Sequence, residues 1–366
     1  MIVSVISDLV SDQRVHRVCS FLQENSFDVL LIGRRLKKSL SLDKRNYSTQ
    51  RIRCYFNKGV LKYAEFNLKL FFKLLFKKSD LFFSNDLDTL VPNYVIAKLR
   101  RKKLVYDTHE YFIGMPELQS KPFKRKIWIT IEKIILPRLK HAYTVSESVA
   151  GQYKKNYGIK LKVVRNTPIR TDSLPQPSEI VFPQGKTILL LQGSGINKDR
   201  GAEELIESMQ LLPGNFLLVL IGGGEIWEDL KKLCQGLNLE KKVMFIEKVP
   251  YAELRKYTVH AYLGFSLDKP TNLNYQLSLP NKIFDYIHAG VPVVASEITE
   301  VKSILETYRV GATITEVTPQ AIATAILSIF KNQQQYETWK QNTAKAADEL
   351  CWQKEQLILK EIFEVK

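Results

Sequence analysis

The sequence repeats one pattern twice: short apolar runs alternate with amphipathic segments of helical length, first over residues 1–170 and again over 187–340. Between the two series, residues 171–186 contain three prolines in a polar context, which is typical of a linker. Strands that alternate with helices at this rhythm form parallel sheets with helices on both faces. We therefore predict two doubly wound α/β domains, followed by C-terminal helices over 341–366 that pack back toward the first domain.

The order of these elements also predicts where ligands bind. Parallel sheets bind ligands outside the carboxyl ends of their strands, at the point where the strand order reverses. Two such domains in series predict a central cleft between the two sets of strand ends. Polar and glycine-rich loops that follow strands are therefore the candidate functional segments.

The positive charge of the chain is concentrated in its first half. Residues 1–170 contain 34 Lys and Arg against 14 Asp and Glu, a net charge of +20, whereas the remaining residues contain 20 against 24, a net charge of −4. A basic domain of this kind favours a polyanionic partner, such as a membrane surface, a nucleic acid or a phosphorylated substrate.

Several protein classes do not fit the composition. The four cysteines include no CxxC pair, which argues against a disulfide framework and against a thiolate zinc site. No run of about 18 apolar residues occurs, so we expect no membrane-spanning helix. The first residues, MIVSVISDLVSDQ, lack the basic region and the long apolar core of a signal peptide. We therefore expect a cytoplasmic protein.

Residues 278–296, SLPNKIFDYIHAGVPVVAS, predict a helix followed by a buried strand. Pro280 suits the first turn of the helix, and the apolar run at the end is typical of a parallel strand covered on both faces. The positive end of the helix, with Asn281 and Lys282 beside it, suits a phosphate, and Asp285 can accept a hydrogen bond from a sugar hydroxyl. The alternative is an ordinary helix that covers the sheet and turns its charges to water.

The first strand–helix turn of the second domain, residues 191–201, reads LQGSGINKDRG. Its glycines let the backbone approach a ligand closely, and a basic helix start suits a diphosphate. It is not a dinucleotide-binding fingerprint, because Lys198 occupies the position of the third glycine. The following strand ends in a second glycine-rich turn, and for both loops a plain turn is the alternative. The donor-binding candidates of these two loops are Gly193, Ser194, Gly195, Arg200, Gly222 and Gly223.

Polar residues also follow strands of the first domain. His109 follows one strand, where a histidine can position a reacting oxygen. Asp86 and Asp88 follow another, and there a helix N-cap accounts for either carboxylate, with substrate contact as the alternative. The acceptor-side candidates are Asp12, Arg14, Asp86, Asp88 and Glu110.

In combination, these features resemble the retaining glycosyltransferases of family 4, which have the GT-B fold of two doubly wound Rossmann-like domains facing a central cleft. The shared features are a histidine after a first-domain strand, a glycine-rich turn that ends in Arg200-Gly201, and the segment FDYIHAGVPVVAS. The resemblance implies that Arg200 holds the donor diphosphate, that Asp285 binds the nucleotide ribose, and that His109 lies near the transferred sugar.

The chain departs from the family pattern at four places. Leu277 stands where the first acid of the E-x7-E motif is expected, and Asp285 replaces the second glutamate. Ser194 stands in place of an arginine whose charge Lys282 can supply. The segment 8–14, DLVSDQR, replaces the glycine-rich acceptor loop. These departures bear on the identity of the sugar and the type of acceptor more than on the type of reaction.

The sequence thus predicts an enzyme that moves a sugar from a nucleotide-diphosphate donor to an acceptor hydroxyl, and the resemblance implies retention of the anomeric configuration. His109, Arg200 and Lys282 are the predicted catalytic residues. Since the two cations and a helix N-terminus can stabilise the leaving diphosphate, we expect neither a metal nor a cofactor. The alternatives are a GT-B sugar-nucleotide epimerase and a non-catalytic binder of sugar nucleotides or nucleic acid.

Two basic segments, 61–78 and 123–140, predict association with an anionic membrane. The first has a polar stripe of lysines beside a broad apolar face, and the second places Lys124, Arg125 and Lys126 next to an apolar face that includes Trp128. Such helices are typical of the membrane interface, and the alternative is that both cover the sheet. We expect a lipid-linked or cell-surface glycan precursor as acceptor, at the cytoplasmic face of the inner membrane.

Overall fold

The computed structural model describes residues 1–10, 12–36, 39, 41–119, 121–171 and 182–365, with the backbone alone at 116 and 117. Residues 172–181, most of the predicted linker at 171–186, lie outside the described residues. The chain divides into two compact units. Unit 1 consists of Met1–Asn166 and Glu355–Lys366, and unit 2 consists of Thr167–Lys354.

Unit 1 contains a seven-stranded sheet in which every neighbouring pair is parallel. Its strands are β1 (Ile2–Asp8), β2 (Leu30–Arg35), β3 (Ser48–Arg53), β4 (Leu81–Asn85), β5 (Lys103–Thr108), β6 (His141–Thr144) and β7 (Lys162–Val163). The strand order is β3-β2-β1-β4-β5-β6-β7, so it reverses between β1 and β4.

The helices of unit 1 cover this sheet with apolar side chains. They are α1 (Gln13–Glu24), α2 (Gly59–Phe76), α3 (Leu87–Arg100), α4 (Pro116–Gln119), α5 (Pro122–Ile135) and α6 (Glu147–Tyr157). In α2, for example, Phe66, Leu70 and Leu74 recur at helical spacing and are fully buried in the core that includes Phe82 and Ile96. Removing this apolar surface from water stabilises the helix on the sheet.

Unit 2 contains a six-stranded sheet, also parallel throughout. Its strands are β8 (Thr187–Gly193), β9 (Phe216–Gly222), β10 (Val243–Glu247), β11 (Leu263–Ser266), β12 (Val293–Ser296) and β13 (Gly311–Ile314). The order is β10-β9-β8-β11-β12-β13, with the reversal between β8 and β11. The doubly wound α/β fold predicted from the sequence is therefore confirmed for both units.

After β8, single helices or a helix pair alternate with the strands as far as β13, and three helices in succession follow β13. The helices after β8 are α7 (Ala202–Ser208), α8 (Trp227–Gly236), α9 (Tyr251–Thr258), α10 (Leu273–Gln276), α11 (Asn281–His288), α12 (Thr299–Tyr308), α13 (Pro319–Lys331), α14 (Gln333–Glu349) and α15 (Trp352–Phe363). Helix α15 contributes to the core of unit 1, where the Phe363 ring lies 6.3 Å from that of Phe27 and 5.4 Å from that of Phe83. Glu355 accepts a hydrogen bond from the backbone N–H of Arg165 at 2.8 Å.

The basic stretch 34–53 ends in the short strand β3, whose sequence STQRIR lacks an apolar run because β3 is the edge strand of the sheet. One local expectation is wrong. Pro280 is not in the first turn of α11 but precedes it as the N-cap residue, with extended backbone at ψ 134°. The helix therefore begins one residue later, at Asn281.

Two glycines let the loops after β8 and β9 lie against each other. Gly222 has a φ of +143°, and a Cβ built there would lie 1.8 Å from the carbonyl oxygen of Gly193. A Cβ at Gly224 would lie 2.1 Å from the carbonyl oxygen of Ile196. Only glycine fits these positions without a backbone shift, so the approach of the two loops is fixed by sequence.

We expect Gly222→Ala to lower the free energy of unfolding of unit 2 by about 2–4 kcal/mol, because it combines a strained φ with a backbone clash. Urea unfolding followed by circular dichroism measures this change. Gly236→Ala is the matched control, since nothing lies within 4 Å of its added Cβ and the residue is helical. A Gly222→Ala protein as stable as the control would contradict the close approach of the loops.

Candidate active site

In unit 1, polar side chains gather at the carboxyl ends of β4 and β5, next to the point where the strand order reverses. Asp107 lies near the end of β5, His109 follows it, and Asp86 follows β4. Arg14, from the first turn of α1, reaches the same place. Because these strands are parallel, their carboxyl ends share one edge of the sheet.

These four side chains form a continuous chain of hydrogen bonds. Arg14 donates from Nε to Oδ2 of Asp107 and from Nη2 to Oδ1, both at 2.9 Å, and from Nη1 to the carbonyl of Val164 at 3.0 Å. The imidazole of His109 bridges the carboxylates, with Nε2 at 3.1 Å from Asp107 and Nδ1 at 3.2 Å from Asp86. Both ring nitrogens of His109 are therefore occupied by carboxylates.

The charges of this cluster stabilise each other. Burial acts to raise the pKa of Asp107, but the charges of Arg14 and His109 outweigh it and lower the pKa to about 2. Burial acts to lower the pKa of His109, and the carboxylates of Asp86 and Asp107 instead hold it well above its usual value. A histidine between two carboxylates is thus a cation at neutral pH, although 23% of its side chain is exposed.

Asp86 does not have the capping role that the sequence suggested. It occupies the N-cap position of α3 but makes no cap hydrogen bond, and its φ is +58°. Its Oδ1 instead accepts from the backbone N–H of His109 at 3.0 Å. A non-glycine residue in this region carries backbone strain, which occurs most often at functional sites. The N-cap interpretation of Asp86 is therefore wrong.

The other acceptor-side candidates have different surroundings. Asp12 is the N-cap of α1, since its Oδ1 accepts from the N–H of Val15 at 3.0 Å. Asp88 is buried in the first turn of α3, and burial together with the charge of Asp86 raises its pKa well above the usual value. The backbone carbonyl of Glu110, next to His109, accepts from the Thr108 hydroxyl at 2.9 Å.

A second cluster lies in unit 2 near the ends of β8 and β11, where that sheet also reverses its order. The fully buried carboxylate of Asp268 accepts from Nη1 of Arg200 at 3.1 Å. The Arg200 guanidinium lies 4.7 Å from the centre of the Tyr275 ring, a cation–π contact. Gly201, with a φ of +72°, allows this turn, since a Cβ there would lie 2.5 Å from the carbonyl oxygen of Leu267.

Lys282 adds a second cation to this cluster. It lies in the first turn of α11, where the backbone N–H groups and the helix dipole add positive potential. Burial lowers the pKa of Lys282, an effect that Arg200 reinforces and Asp268 opposes. Within the described residues its ammonium group has no hydrogen-bond or ion-pair partner. Two cations and one carboxylate leave the cluster with a net positive charge.

Asp285 lies one turn further along α11 and connects it to β8. Its Oδ1 accepts from the Tyr251 hydroxyl at 2.8 Å, and its Oδ2 lies 3.4 Å from the side-chain nitrogen of Gln192. Gln192 immediately precedes the first glycine-rich turn, in which Gly193 accepts from the N–H of Gly223 at 3.2 Å. Asp285 and both glycine-rich turns therefore belong to one region of unit 2.

The fold of the chain is similar to that of several solved structures. Sucrose-phosphate synthase (tll1590) from Thermosynechococcus elongatus has 16% identity and a TM-score of 0.79, over 99% of this chain and 98% of that one. Anabaena Alr3699/HepE in complex with UDP-glucose has 15% identity and a TM-score of 0.76, over 99% and 98%. WaaG, a glycosyltransferase involved in lipopolysaccharide biosynthesis, has 14% identity and a TM-score of 0.66, over 100% and 99%.

Two family models match the sequence, one for each half. Residues 12–167 match the model described as Glycosyltransferase Family 4, and residues 176–346 match the model described as Glycosyl transferases group 1. The chain is a GT-B glycosyltransferase. Among curated proteins, no match to it was found.

The structure of this glycosyltransferase brings the predicted donor residues together in unit 2. Arg200 and Lys282 share Asp268 as a neighbour, and Asp285 lies on the same helix as Lys282. The remaining donor candidates line the same turns or begin α11; Gly222 is buried, Gly193 and Gly223 are partly exposed, and Ser194, Gly195 and Asn281 are exposed. Their roles toward a donor stay predictions.

Sequence reasoning missed three residues of the glycosyltransferase that organise these clusters. Asp107 was not selected, although it bridges Arg14 and His109. Asp268 and Tyr275, the partners of Arg200, were also not selected. Both aspartates lie at or just after the end of a strand, so the rule that located His109 could have found them.

We expect the stability of the glycosyltransferase to depend on pH through His109. The folded protein raises the pKa of His109 above its usual value of about 6.5. The stabilising contribution of the His109 charge is therefore fully present below about pH 6.5, and it is lost as the pH rises through the pKa of His109 in the folded protein. The unfolding free energy of the wild type should therefore fall relative to His109→Gln above pH 6.5, by at most about 1.4 kcal/mol per pH unit.

Urea unfolding at several values between pH 6.5 and 9 measures this difference. His141→Gln serves as the control, because the pKa of His141 is lowered by burial and its contribution does not change in this range. A constant difference between the wild type and His109→Gln would show that His109 is not held as a cation.

Proposed function

We propose that this glycosyltransferase transfers a sugar from a nucleoside diphosphate donor to a hydroxyl group of a lipid-linked or cell-surface glycan precursor, with retention, as in family 4. The observation that carries the proposal is the cluster of Arg200, Lys282 and Asp268 at the start of α11. HepE, which has a similar fold, binds UDP-glucose, and this supports a nucleotide sugar as the donor.

The cluster in unit 2 suits a diphosphate for electrostatic reasons. Asp268 fixes Arg200 from the buried side, and 28% of the Arg200 side chain is exposed. Lys282 brings a second cation, and the N-terminus of α11 brings the positive end of the helix dipole. A diphosphate would satisfy these donors with charge-assisted hydrogen bonds, which are the stronger kind.

In the proposed reaction, the bond between sugar C1 and the phosphate oxygen breaks, and C1 forms a bond to the acceptor oxygen. The acceptor proton is released together with the nucleoside diphosphate. Arg200 and Lys282 stabilise the negative charge that develops on the leaving oxygen, and they do so in place of a metal ion. Asp285 holds the ribose, since a carboxylate that already accepts two hydrogen bonds retains capacity for more.

Unit 1 contributes the acceptor side of the proposed reaction. His109 is already protonated and both its N–H groups point to carboxylates, so it acts as a fixed positive charge rather than as a general base. Arg14 is buried, and its hydrogen bonds within the described residues go to Asp107 and Val164, so its role is to hold Asp107 and, through it, His109.

We expect the wild type to release a nucleoside diphosphate from at least one sugar nucleotide in a panel of donors, and to do so in the presence of EDTA. Arg200→Ala and Lys282→Ala should each weaken donor binding roughly 10- to 150-fold, because each removes a charge-assisted bond worth about 1.5–3 kcal/mol. Nucleotide release assays and calorimetric donor titrations measure the two quantities.

Lys232→Ala is the control for this prediction, because Lys232 is an exposed lysine on α8. Unchanged donor binding in both site variants would exclude the cluster as the diphosphate site. Loss of turnover in EDTA that added Mg²⁺ restores would contradict the proposed metal independence.

The surface of unit 1 supports the membrane part of the proposal, but the apolar residues exposed on α2 and α5 differ from those predicted from the sequence. In α2, Leu61, Leu68, Phe72 and Phe76 form an exposed apolar stripe, with Phe76 80% exposed. In α5, Trp128 does not face outward but packs edge-on against the rings of Tyr63 and Phe112. The exposed apolar residues of α5 are instead Phe123, Ile127 and Ile134.

An exposed apolar stripe beside lysines fits a helix that lies in the interface of an anionic bilayer. Each Lys or Arg near such a surface contributes about 1 kcal/mol of attraction. Within the described residues, no helix is both long enough and apolar enough to cross a bilayer. We therefore propose peripheral binding, at the cytoplasmic face of the inner membrane.

We expect the wild type to sediment with vesicles of phosphatidylcholine and phosphatidylglycerol at low salt, and to be released by salt because charge attraction is screened. Leu68→Ser/Phe72→Ser/Phe76→Ser should reduce binding at least roughly tenfold, since each side chain loses its burial in the bilayer. Leu211→Ser/Leu357→Ser removes exposed apolar residues elsewhere and should bind normally. Equal binding by both variants, or by pure phosphatidylcholine vesicles, would contradict the proposal.

A further inference from the structure

We propose that unit 1 has a second anion site, a pocket for a phosphate-bearing ligand between β2, β3 and α2. The cavity there has a volume of about 500 Å³, within the range of small-molecule sites. Ile52 and Phe72 line it together with five cationic side chains, and among the described residues no carboxylate does. The cations are Arg35, Arg51, Arg53, Lys69 and Lys73.

Three of these five cations have no hydrogen-bond or ion-pair partner among the described residues. Glu65 bonds to Lys69 at 2.6 Å, and it also accepts from the backbone N–H groups of Tyr55 and Phe56. Glu65 therefore compensates the charge of Lys69. In the described part of the chain, the side chains of Arg35, Arg53 and Lys73 make no hydrogen bond or ion pair.

The register of the sheet places two of these arginines side by side. Arg35 and Arg53 are the last residues of β2 and β3 and are directly paired. Like charges at neighbouring positions of a sheet are unfavourable. The preceding residue, Arg34, shows the contrast: it is buried and donates to the carbonyl of Phe56 at 2.6 Å and to Asn57 at 2.8 Å. An anion between the paired arginines would remove the repulsion that no residue of the pocket removes.

The chemistry of the pocket indicates a phosphate monoester or diphosphate. Guanidinium groups bind phosphate oxygens in a forked geometry, and lysines add point charges. Phe72 lines the pocket and belongs to the exposed apolar stripe of α2, so the phosphate can come from a lipid headgroup or from a free compound. The pocket is also separate from the His109 cluster, because four strand spacings, about 19 Å, separate β3 from β5. A phosphate site in this pocket is additional to the proposed transfer reaction, because the proposed donor site lies in unit 2.

The test is a calorimetric titration of the full chain with inorganic pyrophosphate at low ionic strength. We expect two binding events in the wild type, one in unit 2 and one in the pocket. Arg35→Gln/Arg53→Gln/Lys73→Gln should weaken one event at least roughly tenfold. Arg200→Gln/Lys282→Gln should weaken the other. Lys154→Gln/Lys155→Gln/Lys160→Gln removes the same number of exposed charges from unit 1 and should retain both events.

Retention of both events by the pocket variant would overturn the inference. Loss of one event in that variant, with none lost in Arg200→Gln/Lys282→Gln, would support the pocket and count against the proposed donor site. Sedimentation with vesicles of phosphatidylcholine and phosphatidic acid then identifies the source of the phosphate. Weaker binding by the pocket variant than by its charge-matched control indicates a lipid headgroup, and equal binding indicates a free phosphate compound.

Discussion

The buried ion pair between Arg14 and Asp107 is the interaction on which the site of unit 1 depends. Asp107 has no exposed surface, so its charge is tolerable only because two cations bond to it. The three hydrogen bonds of Arg14 join α1 to β5 and to the chain after β7. Breaking a buried pair of this kind typically costs about 3–5 kcal/mol, because one charge is left without its partner.

Unit 2 uses a related arrangement for a different purpose. Asp268, like Asp107, is a fully buried aspartate near a strand end that holds an arginine. Arg14 is itself buried and each of its three nitrogens donates to the protein, whereas part of Arg200 remains exposed. The first arginine therefore supports a histidine, while the second remains able to bind an anion directly.

The architecture could be predicted from sequence because apolar runs and helical spacing specify parallel strands and their covering helices. Arg200 and His109 were selected because they follow strands. Lys282 and Asp285 were selected because they lie at the start of one predicted helix and one turn further along it. The role of Asp86 could not be predicted, since a carboxylate before a helix normally caps it, and here the backbone conformation and the donors of His109 decide otherwise.

Other features depend on tertiary structure that a sequence pattern does not contain. The strand β3 has a largely polar sequence, so only its pairing with β2 identifies it. In α2, nearly all positions outside the lysine stripe are apolar, and the pattern does not specify which of them meet the sheet. Phe66 and Leu70 are buried, and Leu68 and Phe72 are exposed. The pairing of β2 with β3 also brings together the strand ends that line the basic pocket.

The position of α15 has a consequence for the order in which the glycosyltransferase folds during translation. Unit 1 is built from two segments, and the second, Glu355–Lys366, is synthesised after all of unit 2. Until α15 emerges, the core lacks Phe363 between Phe27 and Phe83, and the N–H of Arg165 lacks its acceptor on Glu355. Unit 2 is continuous in sequence and can fold as a unit as it is made. The N-terminal unit therefore completes its core only after the whole of unit 2 has been synthesised.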